Sequence, residues 1–216
     1  MRNHILYSQI NEHIECIYYR NATLSYPLHT HTGHVALGYI LEGKVGIVCG
    51  GEKKRYHTGE HFCIPPDTPH AIEAVDDTPY SMVCLSAAVD KMFHEDGGKA
   101  AGKVFGGEAG ETTGVMRLKQ LILASPENAF SIENMARHIG MSPYHMIRQF
   151  KAVCGLTPHQ FQIQCRVRKA QKLLEQGESV TEAAYATGFC DQSHFDRCFQ
   201  KIVRLTPNEY KHCLWR

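Results

Sequence analysis

The sequence lacks the features that would place it in a membrane or in an oxidising compartment. It has no run of about eighteen apolar residues and nothing that resembles a signal peptide. Its nine cysteines are an odd number, and they are scattered without CxxC or zinc-finger spacing. Cysteines scattered in this way are typical of reduced thiols. We therefore expect a soluble, cytoplasmic protein that has no membrane partner.

The whole chain also lacks a strong excess of either charge, but its two halves do not. The net charge is +1 over 216 residues. Residues 1–114 hold nine Lys/Arg and fourteen Asp/Glu, a balance of −5, whereas residues 115–216 hold fourteen and eight, a balance of +6. A basic half is typical of a protein that neutralises phosphates and binds nucleic acid less tightly as salt rises. A merely solvated surface would account for +6 equally well, so the charge needs a second observation beside it.

The amino-terminal part alternates short apolar runs with Gly and Pro. The runs cover residues 14–19, 35–41, 44–49, 61–64 and 81–86. Short strands at this spacing predict a small antiparallel β-barrel, cupin-like or jelly-roll-like in form. The composition then changes, with seven glycines between Gly97 and Gly114. This change predicts a linker over residues 91–114 and a short amphipathic helix over 115–124.

A helix-turn-helix pattern occurs twice in the basic half. At a shift of 49 residues three identities coincide: His145 with His194, Arg148 with Arg197, and Phe150 with Phe199. At a shift of 48 residues there are three more: Ser131 with Ser179, Ala136 with Ala184, and Gly140 with Gly188. Each copy has a serine N-cap, a short helix, a glycine that ends it and a second helix. The duplication predicts an all-α domain with two such units, joined by a helix from residue 158 to about 176.

The second copy carries a specific run of residues. Segment 188–195 is GFCDQSHF, and Arg197, Phe199 and segment 205–210, LTPNEY, follow it. This run resembles the signature of the AraC/XylS family of transcription regulators, and residues 136–142 with 155–158 resemble the first helix-turn-helix of that family. The resemblance covers about the last hundred residues. Arg204 stands where the family usually has Gly, so we expect the turn at this position to be strained or rebuilt.

The amino-terminal part resembles the two motifs of the cupin family over roughly residues 20–85. The resemblance rests on the pair His29-x-His31, on Glu42-Gly43, and on the spacing from Gly59 to Pro65 and His70. Cupin metal sites take two His and one Glu from the first motif and one His from the second. The resemblance therefore implies a candidate metal site at His29, His31 and His70. On a strand, His29 and His31 would share a face because they are two residues apart.

Two positions depart from the cupin pattern. Val35 or Ala36 stands where the first-motif Glu is expected, and Asp67 replaces a second-motif Gly. His34 would replace the missing Glu if Gly33 opened a bulge, because His34 otherwise faces the other way.

Imidazole ligands suit zinc, nickel, copper or iron, so a divalent ion of this group is the cofactor to test. Alternatively, the histidines line a polar effector pocket without metal. The barrel interior is the expected effector site, and Tyr39, Phe62 and Cys63 are predicted to line it.

The family resemblance also implies which helical residues face DNA. They are Tyr144, His145, Ile147 and Arg148 in the first copy, and Gln192, Ser193, His194 and Arg197 in the second. Each Arg can hold the O6/N7 edge of a guanine, and Gln192 can pair with adenine. A phosphate contact or a surface ion pair is an equally good reading of each Arg. Lys151, Lys201 and Arg168 are expected to contact phosphate.

The sequence thus predicts a two-domain α+β protein with a cupin-like effector domain over 1–90, a linker over 91–114 and a double helix-turn-helix domain over 115–216. We expect a transcriptional regulator, an activator or a repressor, that binds promoter DNA and senses a small molecule or metal ion. The resemblance adds a homodimer and contact with RNA polymerase as expected partners. The alternatives are a cupin-type metalloenzyme with a fused helical domain, which the missing Glu disfavours, and a partner-binding module without DNA binding.

Overall fold

The computed structural model describes residues 4–11, 14–89 and 109–213. The chain divides into two compact units. The first consists of Met1–Gly98 together with Val203–Arg216, and the second of Lys99–Ile202. Residues 90–108, which hold most of the predicted linker, lie outside the described part of the chain. The domain boundaries at residues 90 and 114 stay predictions.

Nine antiparallel strands form two sheets in the described part of the first unit. Sheet A has the order β1-β2-β9-β4-β7 and sheet B the order β3-β8-β5-β6. The strands are β1 (His4–Asn11), β2 (Ile14–Ala22), β3 (Tyr26–His29), β4 (His34–Glu42), β5 (Lys44–Cys49), β6 (Glu52–His57), β7 (His61–Ile64), β8 (His70–Ala74) and β9 (Tyr80–Ala88). The predicted antiparallel cupin-like fold is confirmed.

Strand alternation places one face of sheet A in the core. Tyr19, Met82 and Ile40 lie opposite one another on β2, β9 and β4, and all three are buried. Val45, Ile47 and Ile72 are buried apolar residues of β5 and β8 in sheet B. Burying such apolar side chains contributes roughly 1.5–3 kcal/mol each. The two sheets therefore enclose an apolar core, as in a jelly roll.

Seven helices follow in the described part of the chain. They are α1 (Ala109–Ala124), α2 (Ile132–His138), α3 (Pro143–Cys154), α4 (Pro158–Glu175), α5 (Val180–Ala186), α6 (Gln192–Val203) and α7 (Pro207–Cys213). Both helix-turn-helix units and the long joining helix lie where the duplication predicts them. Helix α1 begins at Ala109, six residues before the predicted start at 115. Two glycines and two threonines lower the helix propensity of this first part, so the sequence alone did not indicate it.

Local capping explains where these helices begin. The hydroxyls of Ser131, Ser142 and Ser179 each accept a hydrogen bond from a backbone N–H of the first turn, as does the hydroxyl of Thr157. Thr157 and Ser179 also form complete capping boxes with Gln160 and Glu182. Each cap satisfies an otherwise unpaired donor and stabilises its helix by about 1 kcal/mol.

The segment Val203–Arg216 belongs to the barrel unit. The ring of Tyr210 packs edge-on against Tyr7 of β1, with centroids 4.9 Å apart, and the Tyr7 hydroxyl donates to the Val203 carbonyl at 3.5 Å. Arg204 has φ +66° and places its guanidinium 5.9 Å from the centroid of the Tyr26 ring. The turn at Arg204 is therefore strained, as its departure from the family pattern predicts.

Candidate nucleic-acid interface and effector site

The first candidate recognition helix is α3. Ser142 caps it and Pro143 occupies its first turn, so its N-terminal residues are held at a fixed point. Met146 and Phe150 are completely buried. They anchor the inner face of the helix in a cluster that also includes Phe161 and helix α1.

The outer face of α3 carries the residues expected at DNA. Tyr144 is 73% exposed, and Arg148 and Lys151 are exposed as well. His145 is half-buried. Ile147 is half-buried and packs against the apolar cluster, so part of its side chain is structural. Four of the five residues thus present polar groups on one helical face, which is the surface that a major groove would meet.

The second candidate recognition helix, α6, has the same construction. The carboxylate of Asp191 accepts a hydrogen bond from the His194 backbone N–H at 2.7 Å and caps the helix. The rings of Phe195 and Phe199 are buried and pack edge-on, with centroids 5.4 Å apart. On the opposite side four predicted residues are exposed: Gln192, Ser193, Arg197 and Lys201. His194 is half-buried and packs edge-on against Phe189, so it is partly structural.

Arg166 of α4 joins the two helix-turn-helix units, a role that the sequence did not show. Its Nε donates to the Pro126 carbonyl at 2.7 Å, and its two terminal nitrogens donate to the Glu127, Asn128 and Gly188 carbonyls at 2.7–3.2 Å. The Glu127 and Asn128 carbonyls belong to the loop before the first unit, and Gly188 ends the first helix of the second unit. One guanidinium therefore holds both units to α4, since its donors form a planar, fixed fork.

Two neighbours of Arg166 on α4 strengthen this connection. The Gln162 side-chain amide donates to the Pro126 and Asn128 carbonyls at 2.9 and 2.6 Å. The Lys169 ammonium forms an ion pair with the Glu127 carboxylate at 2.8 Å. The sequence does not reveal these bonds, because every residue has a backbone carbonyl and residue type does not indicate which ones accept.

The barrel unit brings three of the four predicted histidines together. His29 ends β3 and lies opposite His70 at the start of β8, and His31 follows in the next turn. The ring centroids are 4.2 Å apart for His29 and His70, and 5.1 Å apart for each of these with His31. One ligand nitrogen of each ring lies within 4.8 Å of the others. Three nitrogens so close together can share one metal ion.

Backbone carbonyls fix the orientation of two of these rings. The Nδ1–H of His29 donates to the Pro27 carbonyl at 2.8 Å, and that of His70 donates to the Thr68 carbonyl at 2.9 Å. In this tautomer Nε2 is the nitrogen that carries the lone pair. Burial lowers the pKa of His70, although its bond to Thr68 opposes that effect. His70 is therefore neutral near pH 7, which is the form that binds metals.

The other residues predicted for a metal site lie elsewhere. The Nδ1 of His34 bonds to the Thr32 carbonyl at 2.8 Å, and the histidine cluster, as far as the described residues extend, does not include it. Ala36, at a position predicted for the missing Glu, is buried and offers no ligand atom. Cys49 lies opposite His70 on β5 and so shares its side of sheet B, a neighbour that the sequence did not indicate.

The predicted lining of the barrel needs a correction. Phe62 is buried, and its ring fills the space where a Cβ on Gly38 would lie. Tyr39 is 47% exposed and Cys63 is exposed, so both lie on the outer face of sheet A. The reason is alternation: Tyr39 follows Gly38 and Cys63 follows Phe62, so both point away from the interior.

Comparison with known proteins supports both halves of this description. Residues 135–212 match the helix-turn-helix domain family, and residues 19–86 match the cupin domain family. The chain is 33% identical to the HTH-type transcriptional regulator MtrA of Neisseria gonorrhoeae over 95 residues, which are 44% of this chain and 32% of MtrA. An alignment of 236 residues with the uncharacterized HTH-type transcriptional regulator YbfI of Bacillus subtilis is 23% identical and covers 84% of this chain and 86% of YbfI.

The fold of both units recurs in a solved structure. ToxT of Vibrio cholerae, crystallised with an unsaturated fatty acid bound, superposes with a TM-score of 0.64 at 12% identity and covers 99% of this chain and 98% of ToxT. The chain covers 25% of the length of the bifunctional transcriptional activator/DNA repair enzyme Ada of Escherichia coli, to which it is 34% identical over 90 residues, and 32% of MtrA, so it spans about a quarter to a third of these two relatives.

The fold and the two sites define a helix-turn-helix protein with a cupin domain. Its matched domains and its relatives are those of AraC-type transcriptional regulators, so the resemblance found in the sequence is confirmed. Among the described residues there is no helix long and apolar enough to cross a membrane.

Proposed function

We propose that this chain regulates transcription by binding promoter DNA through both helix-turn-helix units. The observation that carries the proposal is the paired exposure of Arg148 with Lys151 on α3 and of Arg197 with Lys201 on α6. Arg148 and Arg197 stand at corresponding positions of the duplicated unit, and an exposed lysine follows each of them within one helical turn, Lys151 on α3 and Lys201 on α6. A solvated surface would have no reason to repeat them on both helices.

Helix α4 sets the separation of the two units. Its 18 residues span roughly 27 Å at 1.5 Å per residue. That length is close to one turn of B-form DNA, about 34 Å, so one chain can address two successive major-groove faces. The bonds of Arg166 to both units make this separation rigid.

Within each face, we assign base contacts to the arginines and phosphate contacts to the lysines. Arg148 and Arg197 have the planar fork that fits a guanine edge, and Gln192 suits adenine. The Gln192 carbonyl oxygen already accepts a hydrogen bond from Thr181 at 3.0 Å, which orients its amide. Tyr144 offers an apolar contact to a thymine methyl.

Substitution of the two arginines tests these assignments. A duplex selected from a random 40-base-pair library serves as the specific probe. Arg148→Ala and Arg197→Ala should each weaken specific binding about 5- to 150-fold, equivalent to about 1–3 kcal/mol, while changing binding to an unrelated duplex much less. Arg55→Ala on β6, an exposed arginine of the barrel unit, is the matched control and should change neither. Unchanged specific binding in both variants would contradict the proposal.

We further propose that the cupin domain is the effector domain. The support is its enclosed core beside the histidine cluster and the fatty acid bound to ToxT, which has the same fold. A ligand that binds one arrangement of the protein better than another shifts the population by that difference in affinity. A homodimer and contact with RNA polymerase belong to the same proposal.

A metal ion is the first effector to test, because His29, His31 and His70 present three imidazole nitrogens to one point. Protein purified without a His tag should contain close to one equivalent of zinc, nickel, copper or iron, or should gain thermal stability when zinc or nickel is added. His31→Ala should abolish either result. Metal-free protein that shows no thermal shift with either ion would leave the cluster as a polar lining of the effector site.

A further inference from the structure

The two helix-turn-helix units differ at one pair of matched positions. In the second unit these positions hold Thr181, the second residue of α5, and Gln192, the first residue of α6. In the first unit the same positions, counted from the helix starts, hold Glu133 of α2 and Pro143 of α3. The shifts of 48 and 49 residues that align the two copies give the same pairing. The units therefore differ at the point where the recognition helix begins.

A hydrogen bond joins the two residues of the second unit. The Thr181 hydroxyl donates to the side-chain oxygen of Gln192 at 3.0 Å, and both side chains are exposed. The bond holds the amide oxygen beside Thr181 and leaves both N–H groups of the amide available. A bond between exposed side chains contributes little to the stability of the fold, because water replaces it when it breaks. Its effect is on the position of the amide.

The amide held in this way still offers what an adenine edge requires. A glutamine oxygen has two lone pairs, so it can accept from Thr181 and from the N6–H of adenine at the same time. The amide nitrogen can donate to N7 of the same base. Guanine presents two acceptors, N7 and O6, so the oxygen of Gln192 would face O6 with no hydrogen between them. The pair therefore favours adenine over guanine.

The matched residues of the first unit cannot do the same. The side chain of Pro143 is an apolar ring, which has neither a donor nor an acceptor for a base edge. Glu133 is exposed, and its carboxylate accepts a hydrogen bond from the hydroxyl of the capping residue Ser131 at 2.7 Å. At its first residue α3 therefore presents no group that can form a hydrogen bond with a base.

The bond from Thr181 matters for DNA binding because a free glutamine is flexible. The first residues of a recognition helix are those that reach base edges in the major groove. A glutamine side chain samples many rotamers, and it loses that freedom when it is fixed against a base. A side chain that is already held in place loses less, so more of the hydrogen-bond energy appears as affinity for the matching base.

We propose that Thr181 is a positioning residue for base recognition, and that through Gln192 the second unit recognises an adenine that the first unit cannot recognise. The inference rests on the proposed function, because it requires both units to bind DNA. The two sites contacted by one chain are then unequal. The site of α6 contains one more specified base pair, at the start of the recognition helix, than the site of α3.

Loss of one base preference identifies the position that Gln192 contacts. Affinity of the full chain is measured on the selected duplex and on duplexes in which each base pair is replaced singly. Gln192→Ala should reduce the preference at one A·T pair from at least about 5-fold to less than about 2-fold and keep the preferences elsewhere. Pro143→Ala, at the matched position of the first unit, is the control and should remove no preference.

Substitution of Thr181 tests the positioning role. Thr181→Val keeps the shape of the side chain without the hydroxyl, and it should reduce the preference at that same base pair by about 2- to 10-fold. Thr181→Ser retains a hydroxyl and should keep the wild-type preference. The double variant Thr181→Val/Gln192→Ala should have the base preferences of Gln192→Ala alone, because Thr181 acts only through Gln192. The melting temperature of Thr181→Val should stay within about 2 °C of wild type.

Failure of the inference and failure of the proposed function give different results. A preference that is lost in Gln192→Ala but unchanged in Thr181→Val would overturn the positioning role, as would an equal fall on every duplex. If Gln192→Ala removes no preference, the inference is overturned, while losses in Arg148→Ala and Arg197→Ala would still support the proposed function. A wild-type chain that binds the selected duplex no better than an unrelated one would overturn both.

Discussion

Two residues that depart from the family patterns keep the backbone shape of the glycine they replace. Asp67 and Arg204 stand where cupin and AraC-type sequences usually have Gly, and their φ angles are +60° and +66°. Asp tolerates this region because its short side chain bonds locally, whereas Arg does not. At Arg204 the guanidinium over Tyr26 compensates in part, since such a contact contributes about 0.5–2 kcal/mol.

Comparison of two substitutions at Arg204 separates these effects. Arg204→Ala and Arg204→Gly both remove the guanidinium, but only glycine relieves the left-handed strain. We therefore expect the Gly variant to be more stable than the Ala variant by about 1 kcal/mol, measured as the difference in the free energy of unfolding in urea. Equal stabilities would show that the turn rearranges when the guanidinium is lost.

The paired glycines of the duplicated unit differ in one physical respect. Gly140 and Gly188 end the first helix of each unit with φ +70° and +82°. A Cβ on Gly140 would meet open space, whereas a Cβ on Gly188 would overlap the backbone carbonyl of Glu127. Gly140→Ala should cost about 1 kcal/mol of stability, and Gly188→Ala at least about 2 kcal/mol more, by chemical denaturation. Similar costs at the two sites would mean that the loop at Glu127 moves aside easily.

At the scale of the elements, the sequence predicted the helices better than the strands. Serine caps, glycine stops and the repeat predicted α2, α3, α5 and α6 because these signals are local. Strands β1, β3, β6 and β8 were missed; of these, β3 has only four residues and contains Pro27, and β6 is almost entirely charged or exposed. Strand β3 is held by β8, which lies far away in the chain, and β6 is held by its hairpin partner β5.

The candidate site residues divide in the same way, because those on the helices could be predicted from local patterns and those on the strands could not. Arginines on the outer faces of α3 and α6 could be predicted from the helical repeat. The side of sheet A on which Tyr39 lies depends on register, and a shift of one residue reverses it. The role of Arg166 depends on carbonyl groups of two distant segments, which no residue pattern reveals.

Helix α4 holds the two helix-turn-helix units together through the planar guanidinium of Arg166, which donates to carbonyls of both units. Arg166→Lys keeps the charge but replaces the planar donors with one ammonium, leaving several half-buried carbonyls poorly paired. We expect a loss of about 2–4 kcal/mol in unfolding free energy. Arg168→Lys on the same helix is the control, because Arg168 donates at 3.4 Å to Gln171 of its own helix, and it should change stability by less than about 0.5 kcal/mol.

DNA binding by Arg166→Lys gives the matching functional measurement. Affinity for a duplex that contains the sites of both helix-turn-helix units should fall more than affinity for a duplex that contains the site of only one unit. An equal fall on both duplexes would show that Arg166 supports each unit separately and not their separation.

At the scale of the whole molecule, the excess of positive charge in residues 115–216 should make the affinity for DNA depend on salt concentration. If Lys151 and Lys201 neutralise phosphates, the slope of log Kobs against log salt should become shallower by about 1 in Lys151→Ala and in Lys201→Ala. Lys54→Ala, an exposed lysine of the barrel unit, should leave the slope unchanged. Fluorescence anisotropy from 50 to 300 mM salt measures these slopes, and an unaltered slope in both helical variants would remove the lysines from the interface.

The packing of Tyr7 on Tyr210 also has a consequence for biosynthesis. The two rings are 203 positions apart in the chain (210 − 7), so Tyr7 meets this aromatic partner only after 203 further residues have been synthesised. At about 5–20 residues per second, the synthesis of these residues takes roughly 10–40 s. During that interval β1 has its strand partner β2 but not the ring of Tyr210, so this edge of sheet A is open to chaperones and proteases.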